Sequence, residues 1–141
     1  MIGRFNYKLL SKYPHLRPED VAIWEKFLSA HPDFYDSVDY DLKVGEGRDY
    51  SEMPGDEFRA DMEYLSKKRI DVVGYKGDEI HIIELKPQAG FSAVGQVLGY
   101  AKLFAATGAA GKRIVPVVIT DEELPDVRNF CLKMGVLLLI L

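Results

Sequence analysis

The sequence predicts an α/β domain in which a mixed central sheet is flanked by helices. Two observations carry this expectation. Segments with a two-residue alternation, or with a short apolar run, are interleaved with segments of helical spacing in the order α-β-β-β-α-β-α-β. The first three strands are joined by a loop and a hairpin, and the later ones are reached through helices, so antiparallel and parallel pairs share one sheet. With 141 residues and no linker, repeat or low-complexity tract, the chain reads as a single domain over residues 1–141.

Each element has its own justification. Pro18 followed by Glu19 and Asp20 suits a helix start, with negative charge at the positive end of the dipole. Val21, Trp24, Phe27 and Leu28 then form an apolar stripe, and Pro32 lies just beyond its end. From Tyr35 to Val44, Val38, Tyr40, Leu42 and Val44 alternate with Asp39, Asp41 and Lys43, which predicts a half-buried strand. Gly45 to Met62, rich in Gly and charge, reads as an irregular loop long enough to be functional or mobile. Arg69–Tyr75 and Glu79–Lys86 form a hairpin around Gly77, closed by Pro87. Ser92 is the expected cap of a helix running to about Thr107, with Gly108 as its stop. Its apolar side is Val94, Val97, Leu98, Ala101, Leu103 and Phe104. Ile114–Thr120 is the next strand, and Pro116 within it marks an edge or a bulge. A helix from about Glu123 to Lys133 and an almost wholly apolar strand, Val136–Leu141, complete the order.

Bulk properties exclude some functions. A formal net charge of -4 and a pI of about 5.4 rule out a generally basic surface, while leaving room for a local basic stripe. Cys131 is the only cysteine, so no intrachain disulfide forms, no Cys/His cluster has zinc spacing, and the residue is expected as a small buried hydrophobe. No apolar run approaches the ~20 residues of a membrane span, and Met1–Leu10 has no signal-peptide core. The expectation is a cytoplasmic protein with no membrane partner.

The chemically informative segment is Arg69-Ile-Asp-Val-Val-Gly-Tyr75 followed by His81-Ile-Ile-Glu-Leu-Lys-Pro87. Alternate side chains of a strand share a face, so Ile82, Glu84 and Lys86 point one way and His81, Ile83 and Leu85 the other. Two ionisable groups on an otherwise apolar strand need partners. The hairpin brings Asp71 toward Glu84, and two carboxylates placed together repel unless a cation lies between them. Hard oxygen donors suit Mg²⁺ or Mn²⁺, and Lys86 beside such an ion could orient water or stabilise charge on a transferring phosphoryl group. The bland alternative is a cross-strand salt bridge worth roughly 0.2–1 kcal/mol. Asp41-Leu-Lys43 is a rival triplet, but it is followed by Gly45-Glu-Gly47 rather than a crossover helix.

An Asp, a hairpin, then Glu-x-Lys at the end of an apolar strand resembles the PD-(D/E)XK nuclease superfamily. Gln96, in Gly95-Gln-Val-Leu-Gly-Tyr100, resembles the Gln-bearing helix of several of its branches, and the αβββαβ order is similar to its restriction-endonuclease-like core. The last helix and strand are additions to that core. Ile70 stands where the family name has proline. The resemblance implies phosphodiester hydrolysis with Asp71 and Glu84 as ligands of Mg²⁺ or Mn²⁺, Lys86 at the nucleophile and Gln96 in support. It also implies Glu25 as an accessory acid, nucleic acid (above all DNA) as substrate, and the small stand-alone nucleases of phages or mobile elements as the nearest type. Lys67, Lys68 and Arg69, ahead of the Asp71 strand, are candidate DNA contacts, with Arg48, Tyr50 and Arg59 as further groove residues. The competing reading is an inactive domain of the same fold, a structural, assembly or nucleic-acid-binding module, possible as a homo-oligomer through its apolar C-terminal strand. Gly95 and Gly99 are expected to permit close helix–sheet packing.

Overall fold

The computed structural model describes residues 2–47, 49, 55, 59, 60, 63, 67–109 and 111–141. Helix α1 spans Pro18–Ala30, and strands β1 (Ser37–Val44), β2 (Lys68–Lys76) and β3 (Glu79–Leu85) follow. Helix α2 (Phe91–Ala105), strand β4 (Arg113–Thr120), helix α3 (Pro125–Met134) and strand β5 (Leu137–Ile140) complete the described elements. The five strands lie side by side in sequence order, with β1, β2 and β3 antiparallel and β3, β4 and β5 parallel. This is the expected mixed open sheet with helices on both faces. Among the described residues, no helix is long and apolar enough to cross a membrane.

Two cores follow from the two faces. On one, α2 and α3 cover the sheet, and Val94, Val97 and Cys131 meet Val73, Ile80, Ile82 and Val118. On the other, α1 and the N-terminal segment cover it, and Trp24, Phe27, Tyr35 and Tyr40 meet Val72, Ile83, Leu85 and Ile119. Trp24 is fully buried, and its indole N–H donates to the Tyr40 hydroxyl at 2.9 Å, which removes the penalty of burying that donor. The N-terminal segment is stitched to β1 by a pair of 3.0 Å backbone bonds between Phe5 and Val38. That covers the edge strand, a placement no period in the sequence announces.

Several local expectations change. Val38 and Tyr40 join the α1-side core, whereas Leu42 and Val44 join the α2 side, so β1 does not keep one apolar face. The face changes at Asp41, whose φ of 51° lies in the left-handed region. Strand β2 changes face at the matching point, between Ile70 and Val72. The cap of α2 is Gly90 rather than Ser92, which sits in the first turn. Leu103 is 37% exposed and lies beside Gly45, outside the buried core, and a Cβ at Gly95 or Gly99 would meet nothing within 4 Å, so neither glycine serves close packing. Pro116 has an edge only in part: β4 is flanked by β3 along its length, but β5 pairs with it only from Val117 onward. Most of the Gly45–Met62 loop, Arg48 and Tyr50 included, lies outside the described residues. Arg59 and Ala60 within it are helical, and the Arg59 N–H donates to the Gly55 carbonyl at 3.1 Å.

Candidate active site

The hairpin register decides where the acids meet. Val72 pairs with Ile83 and Lys76 with Glu79, so one further step of the same register sets Asp71 across from Glu84. The backbone ladder stops there, and the Asp71 side chain takes over. Its Oδ2 accepts the Leu85 N–H at 3.0 Å. Lys86 follows directly after β3, anchored by its N–H to the Ile119 carbonyl at 3.1 Å, with its side chain exposed. Pro87 then ends the strand. The Gln88 and Ala89 N–H groups bond Asp121 Oδ1 (2.8 Å) and Thr120 Oγ1 (3.0 Å), which fixes where α2 begins.

These residues open into a cleft of about 220 Å³ at the end of the sheet, between α1 and α2. Asp71, Glu84, Lys86 and Gln96 line it together with Arg17, Asp20, Arg69 and Tyr100. Gln96 and Tyr100, four apart on α2, occupy one helix face one turn apart, which is why both reach it. Asp71, Glu84, Lys86 and Gln96, all singled out in the sequence, thus line one cleft, and Arg69 lines it with them.

Electrostatics set this cleft apart. Burial pushes the Glu84 carboxyl well above the usual carboxylate range, and the neighbouring Asp71 charge and a hydrogen bond with Asp71 raise it further. The Asp71 carboxyl is raised as well, chiefly by burial, against the lowering effect of the Leu85 N–H. Each acid thus raises the cost of ionising the other, and both carboxyls are held above their ordinary range. Asp20 is buried and its carboxyl is raised by desolvation, then by Glu19, while Arg17 and Lys86 pull it down. The Tyr100 hydroxyl is raised by burial and then by Glu84 and Asp71, which places it in the field of both acids.

The acid that α1 contributes to the cleft is Asp20, not Glu25. Five residues along a helix turn a side chain about 140° away, and Glu25 instead accepts a hydrogen bond from the Tyr13 hydroxyl at 2.9 Å beside a separate surface depression. Of the basic candidates, Arg69 lines the cleft, whereas Lys67 and Lys68 do not. Asp41 of the rival triplet faces Arg69 and His15 at the cleft's rim rather than forming a second centre. Arg17, Asp20 and Tyr100 do not stand out in the sequence: Asp20 reads as a helix-start charge, Arg17 precedes the helix, and Tyr100 passes for one more aromatic. The four-residue spacing of Gln96 and Tyr100 was the one available signal.

Among the described residues, no group of three or more His, Cys, Asp or Glu side chains stands in an arrangement that could hold a metal ion. The close donors are thus two carboxylates, with Asp20 nearby. No protein-family model, curated protein or solved structure matches the chain.

Proposed function

We propose that the cleft is the active site of a Mg²⁺- or Mn²⁺-dependent nuclease of PD-(D/E)XK type that hydrolyses nucleic-acid phosphodiester bonds, DNA foremost. The observation that carries this reading is the desolvated Asp71–Glu84 pair, set face to face by the hairpin register with Lys86 alongside. A structural ion pair would match each acid with a cation. Here two buried acids stand opposite each other and raise each other's pKa, the condition that a divalent cation relieves. The donor set fits Mg²⁺: two hard carboxylates leave the remaining positions to water, as that ion prefers. When bound, the ion supplies Lewis acidity toward a phosphoryl oxygen and lowers the pKa of water.

The chain's own residues do the positioning. The Asp71 carboxylate is held against rotation by the Leu85 N–H, and the Glu84 backbone is fixed by its place in the parallel ladder beside Val118. Lys86 brings three donors on a flexible stem to the cleft, suited to a phosphate oxygen or an attacking water. Gln96 offers an amide that can both donate and accept, and Tyr100 adds a hydroxyl on the same wall. Purified protein should cut DNA in Mg²⁺ or Mn²⁺, and Glu84→Ala or Lys86→Ala should lower the rate by about 10³-fold or more. A wild type as inert as these variants on both DNA and RNA contradicts the reading.

A further inference from the structure

We propose that Arg17 and Arg69 form a two-armed phosphate clamp at the mouth of the cleft, with Asp41 and His15 as the residues that position Arg69. The inference rests on the nuclease reading and adds to it the site that seats the substrate's backbone. Arg69 begins β2 and Arg17 precedes α1, so the two guanidinium groups reach one cleft from different elements. Lys67 and Lys68, adjacent in sequence, do not line it.

Arg69 is held in a closed triangle. Its Nε faces Asp41 Oδ1 at 3.7 Å, and its Nη1 lies 3.4 Å from His15 Nδ1. His15 Nε2 lies 3.4 Å from Asp41 Oδ2. The histidine tautomer with hydrogen on Nε2 is compatible with this arrangement, since Nδ1 then accepts from Arg69 while the positive N–H end of the ring turns toward the Asp41 carboxylate. Both His15 (φ 56°) and Asp41 (φ 51°) adopt left-handed backbone, an unfavourable choice for residues with a side chain. Backbone strain of this kind gathers at functional sites. Stability is a poor explanation for it, because the Arg69 side chain is 43% exposed and surface ion pairs contribute little. What the triangle does achieve is to fix the direction of a planar donor fork. A guanidinium carries five N–H donors, so the contacts to Asp41 and His15 leave capacity for a bidentate bond to a phosphate.

The strained pair also lies where the cleft is built. Asp41 falls across from Asp71 in the β1–β2 register, between the pairs Tyr40–Val72 and Leu42–Ile70. The departure from regular strand at Asp41 therefore places Arg69 near the carboxylate pair.

The test measures binding of a short fluorescein-labelled DNA oligonucleotide in EDTA, where no turnover occurs, alongside steady-state cleavage in Mg²⁺. Arg17→Ala and Arg69→Ala should each weaken binding about tenfold and reduce the salt dependence of affinity by about one counterion. In cleavage, KM should rise while kcat changes far less. Asp41→Asn separates positioning from mere charge. If Asp41 positions Arg69, the variant binds the oligonucleotide more weakly; if Asp41 only repels phosphate, the variant binds more tightly, and the positioning role is overturned. A wild type that cuts DNA, with both arginine variants keeping its KM and salt slope, overturns the clamp and leaves the nuclease reading standing. A wild type that never cuts, but loses oligonucleotide binding in both variants, keeps the clamp and overturns the nuclease. A wild type with no affinity for the oligonucleotide overturns the clamp.

Discussion

The two ends of the central hairpin treat their polar groups in opposite ways. At the turn end, buried His81 is flanked by the Tyr35 hydroxyl on Nδ1 and by Glu79 on Nε2, each at 2.9 Å, and Glu79 also pairs with Arg113. Nearby, buried Asp39 accepts from the Arg4 N–H at 2.9 Å and from the Tyr75 hydroxyl at 2.8 Å. Each acid there faces a donor. At the cleft end, Asp71 and Glu84 face each other, with Asp20 close by and the cations at the rim. The same hairpin thus borders a closed polar network that pairs acids with donors and an open acidic one that sets acid against acid. Under the nuclease reading, this difference marks the site more clearly than the presence of charge does.

The largest expected effect cuts across this division. Glu84→Gln should lower metal-dependent cleavage by about 10³-fold or more while preserving the fold, whereas no turn-end substitution that leaves the protein folded should do so. Side-by-side kinetics on Glu84→Gln and Tyr35→Phe check it, and equal losses would erase the distinction. Second in size is Gly74→Ala. A Cβ there would sit 2.5 Å from the Tyr35 ring, so the ring must shift, at a cost of roughly 1–3 kcal/mol in chemical denaturation. Smaller again is Tyr35→Phe, which deletes the hydroxyl bonded to His81 and should cost about 1 kcal/mol or somewhat more, since a buried ring nitrogen loses its partner.

The subtlest contrast is in pH. Asp71 and Glu84 have raised pKa values in the folded protein. Their contribution to stability is therefore complete below the unfolded carboxyl range near ~4 and is lost as pH rises through the raised values. His81 is lowered, first by burial, and Glu79 is lowered, first by its hydrogen bond to His81. Their contribution is present at neutral pH and is lost as pH falls. Melting curves without metal should then fall off on both sides. Glu84→Gln should lift the alkaline side by a few degrees, about what 1 kcal/mol produces in a domain of this size. His81→Gln should flatten the acid side. A Glu84→Gln protein with the wild-type alkaline loss would show that the pair carries no such strain.

Much of this was legible in the residues, because strong periods and punctuation mark their own elements. The stripe of Trp24 and Phe27, the hairpin at Gly77 and the stop at Pro87 each rest on local physics, and the hairpin alone puts Asp71 near Glu84. What stayed hidden depends on three-dimensional placement. The face change at Asp41 is invisible to an alternation that continues through it. The choice of Asp20 over Glu25 turns on where α1 lies against the sheet, as both acids sit on the same amphipathic segment. The packing of Phe5, Tyr7 and Tyr13 over β1 arises from long-range contacts with no periodic trace.

The most direct test is thermal melting with and without Mn²⁺ at pH 8 and pH 5, on wild type, Asp71→Asn and Glu84→Gln. Metal binding to this pair competes with protons for carboxyls whose pKa values are raised, so the stabilisation should be larger at the higher pH. The account predicts a rise in Tm for wild type that shrinks at pH 5 and is lost in both variants. An equal rise in the variants, or none in wild type at pH 8, would contradict the claim that Asp71 and Glu84 form a divalent-cation site.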